Sequence, residues 1–68
     1  MQEFKVKSEY IELVKLLKLI GIAETGGHAK ILVENGEVIR NGEPELRKRA
    51  KLVTGDKIEI FGETIRIV

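Results

Sequence analysis

Cysteine and tryptophan are absent from this 68-residue chain, and histidine and proline occur once each. Without cysteine there is no disulfide to staple the fold and no thiolate for a metal site. A single histidine, His28, has no carboxylate grouping around it, so metal binding lacks ligands and acid–base catalysis lacks a partner. No nucleophile is poised either. The chain is therefore expected to be no enzyme, with no metal, no cofactor and no small-molecule substrate. Aromatic residues are few: Phe4, Tyr10 and Phe61. No apolar run approaches the roughly 20 residues of a membrane span, and the N-terminus lacks the basic-then-apolar order of a signal peptide. A cytoplasmic protein with no membrane partner is the expectation.

What is present is charge, and it is unevenly placed. Residues 1–36 carry five glutamates and five lysines and sum to zero. Residues 37–51 set Arg40, Arg47, Lys48, Arg49 and Lys51 against Glu37, Glu43 and Glu45, a net of +2. Residues 52–68 set Lys57 and Arg66 against Asp56, Glu59 and Glu63, a net of −1. The total of +1 says little about a polyanionic partner, so local clustering is the relevant quantity. The length permits one domain, residues 1–68, which buries only about 60% of its unfolded surface.

The order of elements reads as α+β. Glu3-Phe4-Lys5-Val6-Lys7 alternates polar and apolar, the pattern of a half-buried strand. Ser8 is placed to cap a helix from about Glu9 to Ile20, with Tyr10, Leu13, Leu16, Leu17 and Ile20 inward. Ile11, Lys15 and Lys18 fall on its opposite face, and Gly21 ends it. Thr25 caps a second helix that ends near Asn35, stops at Gly36 and turns Ala29, Leu32 and Val33 inward. Beyond Gly36 the period shortens to about 2. Val38-Ile39-Arg40 leads into Asn41-Gly42, a strong hairpin signal, and the returning arm holds Pro44, which confines it to an edge. Leu52-Val53, a Thr54-Gly55-Asp56 turn, and two strands joined about Gly62-Glu63 complete the chain. Both phenylalanines are assigned inward strand positions. Two helices packed on a small, mostly antiparallel sheet is the expected architecture.

In this order the chain resembles the RNA-binding domain first recognised in the fourth protein of the small ribosomal subunit, and more narrowly the small bacterial proteins made of little else. The residues that carry the likeness are Leu16-Leu17-Lys18-Leu19, Gly21-Ile22-Ala23, Thr25-Gly26-Gly27-His28-Ala29-Lys30, Gly36-Glu37-Val38, Asn41-Gly42-Glu43, Glu45, Arg47-Lys48-Arg49, Lys51-Leu52 and Gly55-Asp56. The likeness covers nearly the whole chain. It implies an αL-type RNA-binding motif in which two helices and the adjoining hairpin present a basic face to structured RNA. Carried over by position, it points to Lys18, Lys30, Arg47, Lys48, Arg49 and Lys51 as binding cations. Arg40 is an added contact or a solvated side chain.

The residues support chemistry of their own beside that likeness. Gly26 and Gly27 open the second helix, where free N–H groups meet the positive end of the helix dipole. Thr25-Gly26-Gly27 thus suits a phosphate, and Lys30 lies one turn on. The alternative is that these glycines relieve a close contact with the first helix or sheet. The Arg47–Lys51 run is either a solvated loop or a phosphate-neutralising group, with Arg47 and Arg49 on one side of an extended segment. His28 is a phosphate or ribose contact or an ordinary polar residue of the first turn. Glu43 and Glu45 are read as holding the neighbouring arginines in place. Because single-strand readers stack bases on exposed rings, this chain is expected to read duplex or folded RNA by shape. The expected partner is structured RNA of ribosomal or transfer-RNA type, bound by a monomer. A protein–protein adaptor using the basic face or an edge strand is the alternative.

Overall fold

The computed structural model describes residues 2–68. Helices α1 (Leu13–Leu19) and α2 (Gly26–Glu34) are joined by a short connection. Strands β1 (Gln2–Phe4), β3 (Ile39–Arg40), β4 (Glu43–Pro44), β6 (Lys57–Ile60) and β7 (Glu63–Ile67) form a sheet in the order β1-β7-β6-β3-β4. The pair β1–β7 is parallel and the others are antiparallel. A separate small ladder joins β2 (Ile11–Glu12) to β5 (Lys51–Leu52). The expected α+β layering is therefore present, with the proline-bearing β4 on the sheet edge, where its missing N–H breaks no ladder.

The core explains the packing. Leu13, Leu16 and Leu17 of α1 meet Ala29, Leu32 and Val33 of α2 in one buried cluster with Val38, Leu52, Ile58, Ile60, Ile65 and Ile67. The four isoleucines alternate with half-exposed residues along β6 and β7, and Ile58 lies directly across from Ile65. Gly21, at φ +82°, takes the left-handed residue that closes α1. Asn41 and Gly42, at φ 52° and 89°, form the tight turn that their dipeptide predicts. Among the described residues no helix is long and apolar enough to cross a membrane.

Three expectations are corrected. The first helix begins at Leu13, not Glu9, and has no side-chain cap. Ile11 and Glu12 pair instead with Leu52 and Lys51, and the Leu13 amide donates to the Ala50 carbonyl at 2.9 Å. This long-range ladder outweighs local helix propensity, buries Ile11 and leaves Tyr10 exposed. The first strand stops at Phe4 rather than Lys7, although the Val6 amide still reaches the Val68 carbonyl at 3.0 Å. Phe61 is not inward. It occupies the turn between β6 and β7 at φ 51° and is 60% exposed.

Candidate nucleic-acid interface

The start of α2 is built by Thr25. Its Oγ1 accepts the His28 N–H at 3.0 Å, and its carbonyl accepts the first ladder bond from Ala29. His28 Nδ1 in turn accepts the Glu24 N–H at 3.3 Å, so the side chain fixes the approach to the helix and only Nε2 remains to face solvent. The amides of Gly26 and Gly27 precede the ladder. Neither glycine is demanded by its surroundings. A Cβ at Gly26 meets nothing within 4 Å, one at Gly27 meets only Thr25 Oγ1 at 3.9 Å, and neither residue has a positive φ. The close-contact alternative for these glycines therefore finds no support. Lys30, one turn on, is exposed and forms no ion pair among the described residues. Lys18 lies in the last turn of α1, where its charge also complements the helix dipole.

The Arg47–Lys51 loop is exposed but compensated. Arg47 Nε pairs with Glu45 at 3.1 Å, Lys48 Nζ with Glu34 at 3.1 Å, and Arg49 Nε with Glu12 at 3.2 Å. The Lys51 ammonium stands 5.0 Å from the centre of the Tyr10 ring. These pairs also locate the loop. Lys48 and Arg49 are neighbours, yet one holds the last residue of α2 and the other the residue before α1. The N-terminal end of α1 and the C-terminal end of α2 therefore lie together under the loop. Lys18, Thr25, Gly26 and Gly27 belong to the other end of the helix pair, with Lys30 one turn in. Helices of seven and nine residues make that separation about 10–14 Å.

Arg40 departs from the solvated reading given to it. Its side chain is only 19% exposed, and both terminal guanidinium nitrogens are hydrogen-bonded. It donates to Glu45 Oε1 at 3.1 Å, to Asp56 Oδ2 at 2.8 Å and to the Lys51 carbonyl at 2.9 Å. It clamps β3 to the returning arm and to the Gly55-Asp56 turn, and is not a simple solvated side chain. Asn41 adds to the clamp, donating to Asp56 Oδ1 at 2.9 Å and accepting the Lys57 N–H at 2.8 Å. Hydrogen bonds from the Arg47 side chain, its N–H and Arg40 outweigh burial and pull the Glu45 carboxyl from 4.5 down to about 2. Burial raises Asp56, but the Val53 N–H, Asn41 and Arg40 together hold it below its ordinary value. Glu45 thus steadies arginines as expected. The sequence marks Asp56 as a turn residue and part of the family likeness, while its partner Asn41, fifteen positions away, gives no local signal.

The chain belongs to the S4 domain family, whose match runs from residue 4 to residue 68. It is 40% identical over 62 residues to YbcJ of Escherichia coli (strain K12), an alignment spanning 91% of this chain and 89% of that protein. It is also 40% identical over 57 residues to RlbA of Bacillus subtilis (strain 168), whose name refers to ribosome maturation. That alignment spans 84% of this chain and 80% of the relative. The solution structure of E. coli YbcJ, described as revealing an αL motif involved in RNA binding, matches with a TM-score of 0.75 at 39% identity. The match covers all of this chain and 87% of that one. These relatives are described by binding and ribosome maturation, not by catalysis.

Proposed function

We propose that this chain binds structured RNA without catalysis, through a basic surface formed by the two helices and the adjoining loop. The observation that carries the reading is the end-to-end match to a structure described as an αL motif involved in RNA binding. The local geometry is consistent with it. Gly26 and Gly27 leave open space over unpaired amides, with Lys30 beside them, while Arg47 and Arg49 extend from the loop at the opposite end of the helix pair. A rigid backbone ligand with regularly spaced phosphates suits two cationic groups held at a fixed separation. Arg40 is excluded from the contact set, and Lys18, Thr25, Lys48 and Lys51 remain in it. The partner is ribosomal or transfer-like RNA, bound by a monomer.

Contacts to about five phosphates give log Kd a dependence on log salt of roughly 3.5–4.5 in magnitude. An electrophoretic titration of a hairpin RNA at several salt concentrations measures it. The double variant Arg47→Ala/Arg49→Ala should keep its fold and weaken binding to all structured RNAs alike. Unchanged affinity would remove the proposal. The edge strand favours an adaptor role little, because Pro44 in β4 offers no N–H to an incoming strand.

A further inference from the structure

A groove of about 960 Å³ runs between the segment that follows β1 and the exposed side of α1. Lys5, Lys7, Tyr10, Lys15, Leu19 and Arg49 line it. Among the described residues, Lys5, Lys7 and Lys15 enter no ion pair, whereas Arg49 is matched by Glu12 on the same wall. Three lysines with no ion-pair partner among the described residues thus line one concavity, which Glu12 also lines. The wall is held in place, since the Val6 amide donates to the Val68 carbonyl and Ser8 Oγ donates to the Tyr10 carbonyl. Lys5 and Lys7 follow β1 and are both exposed. Lys15 and Leu19, at i and i+4, share a face of α1.

The groove also holds what the composition argued against. Tyr10 is 39% exposed because residues 11–12 join a ladder instead of a helix; it lines this groove beside the 58%-exposed Leu19, with the Lys51 ammonium 5.0 Å from its ring centre. An aromatic face, an apolar neighbour and unpaired cations are the elements that take unpaired nucleotides: the base stacks and the phosphates are neutralised. A duplex presents no free base face to such a ring. Arg49 belongs both to the groove and to the Arg47–Lys51 loop, so the two are contiguous.

We propose that this groove is a single-strand site, in which one to a few unpaired nucleotides flanking an RNA stem stack on Tyr10 while Lys5, Lys7 and Lys15 hold their phosphates. The proposal rests on the RNA-binding reading above and adds a preference to it. Acidic protein is the weaker occupant, because a carboxylate-rich peptide makes no use of the ring.

Tyr10 is the sole tyrosine and there is no tryptophan, so the intrinsic emission of the unmodified protein reports this ring alone. The probes are a blunt RNA hairpin and the same hairpin with four unpaired nucleotides at either end. The overhang should bind at least about fivefold more tightly, the lower end of what one stacked base contributes. It should quench Tyr10 emission where the blunt hairpin does not. Tyr10→Leu should abolish the overhang-to-blunt ratio, and Tyr10→Phe should retain it. Equal affinities with unchanged emission overturn the groove assignment and leave stem binding standing. A polyglutamate peptide displacing the overhang RNA at comparable concentration overturns it too. No binding of either hairpin at low salt overturns both readings.

Discussion

Two groups of cations can be compared in this small fold. The Arg47-Lys48-Arg49 run is conspicuous in the sequence, yet each member has a carboxylate partner within 3.2 Å. Lys5, Lys7 and Lys15 are dispersed in the sequence, yet they line one groove with no ion-pair partner among the described residues. Cation density along a chain is thus a poor measure of free positive charge on its surface. The fold brings Glu12, Glu34 and Glu45 to the run, and among the described residues it pairs none of the three lysines with an acid. An exposed ion pair is worth about 0–1 kcal/mol, so the run can still turn to a phosphate, but each turn surrenders a pair. The groove lysines surrender nothing.

The comparison breaks first at Glu45, which is 8% exposed and serves both Arg40 and Arg47. Glu45→Ala leaves the half-buried Arg40 short of one partner and should destabilise the fold by about 2–3 kcal/mol. That is a large share of the roughly 3–10 kcal/mol available to a chain this long. Urea denaturation measures it. The same carboxyl sets an acid limit. Its folded value near 2 lies below its ordinary 4.5, so its contribution is complete above about pH 4.5 and is lost as pH falls toward 2. Circular dichroism during acid titration should show the loss in that window, and Glu45→Gln should flatten it.

The salt dependence of RNA binding sharpens the comparison. Lys5→Ala/Lys7→Ala/Lys15→Ala should lower the salt slope for an overhang RNA by about 2, roughly 0.7 per phosphate, with stability changed by no more than about 0.5 kcal/mol. Arg47→Ala/Arg49→Ala should cost less affinity per charge removed, because intact arginines must first leave their carboxylates. A larger loss per arginine than per lysine would reverse the ranking argued here. The smallest effect is expected far from both groups, at Phe61. Asparagine tolerates the left-handed backbone better, so Phe61→Asn should raise the urea midpoint by an amount worth up to about 1 kcal/mol.

Features set by neighbouring residues were legible in the sequence. The Thr25 cap and the Asn41-Gly42 turn rest on contacts within a few positions, and the inward face of α2 shows in the local spacing of Ala29, Leu32 and Val33. What escaped depends on distant partners. Ile11 and Glu12 look helical until Leu52 and Lys51 arrive from forty residues away. Arg40 looks like a surface cation until Asp56 closes on it. Lys15 was judged on its own helix face, while the opposing wall of its groove comes from a separate segment. Phe61 was misplaced because the alternation of β6 was carried one residue into a turn. The helix boundary at Glu9 puts Tyr10 inside, whereas the ladder at residues 11–12 leaves it 39% exposed.

Parallel pairing of β1 with β7 has a consequence for synthesis. The segment bearing Lys5 and Lys7 emerges from the ribosome early, but the strand that anchors it is made some sixty residues later. Until then the helix pair can assemble from local contacts while the lysine-bearing wall hangs loose, because so distant a pairing must wait for its loop to close. A nascent chain would therefore acquire its helix pair before the groove. Any discrimination that depends on unpaired nucleotides would arrive only with the finished polypeptide.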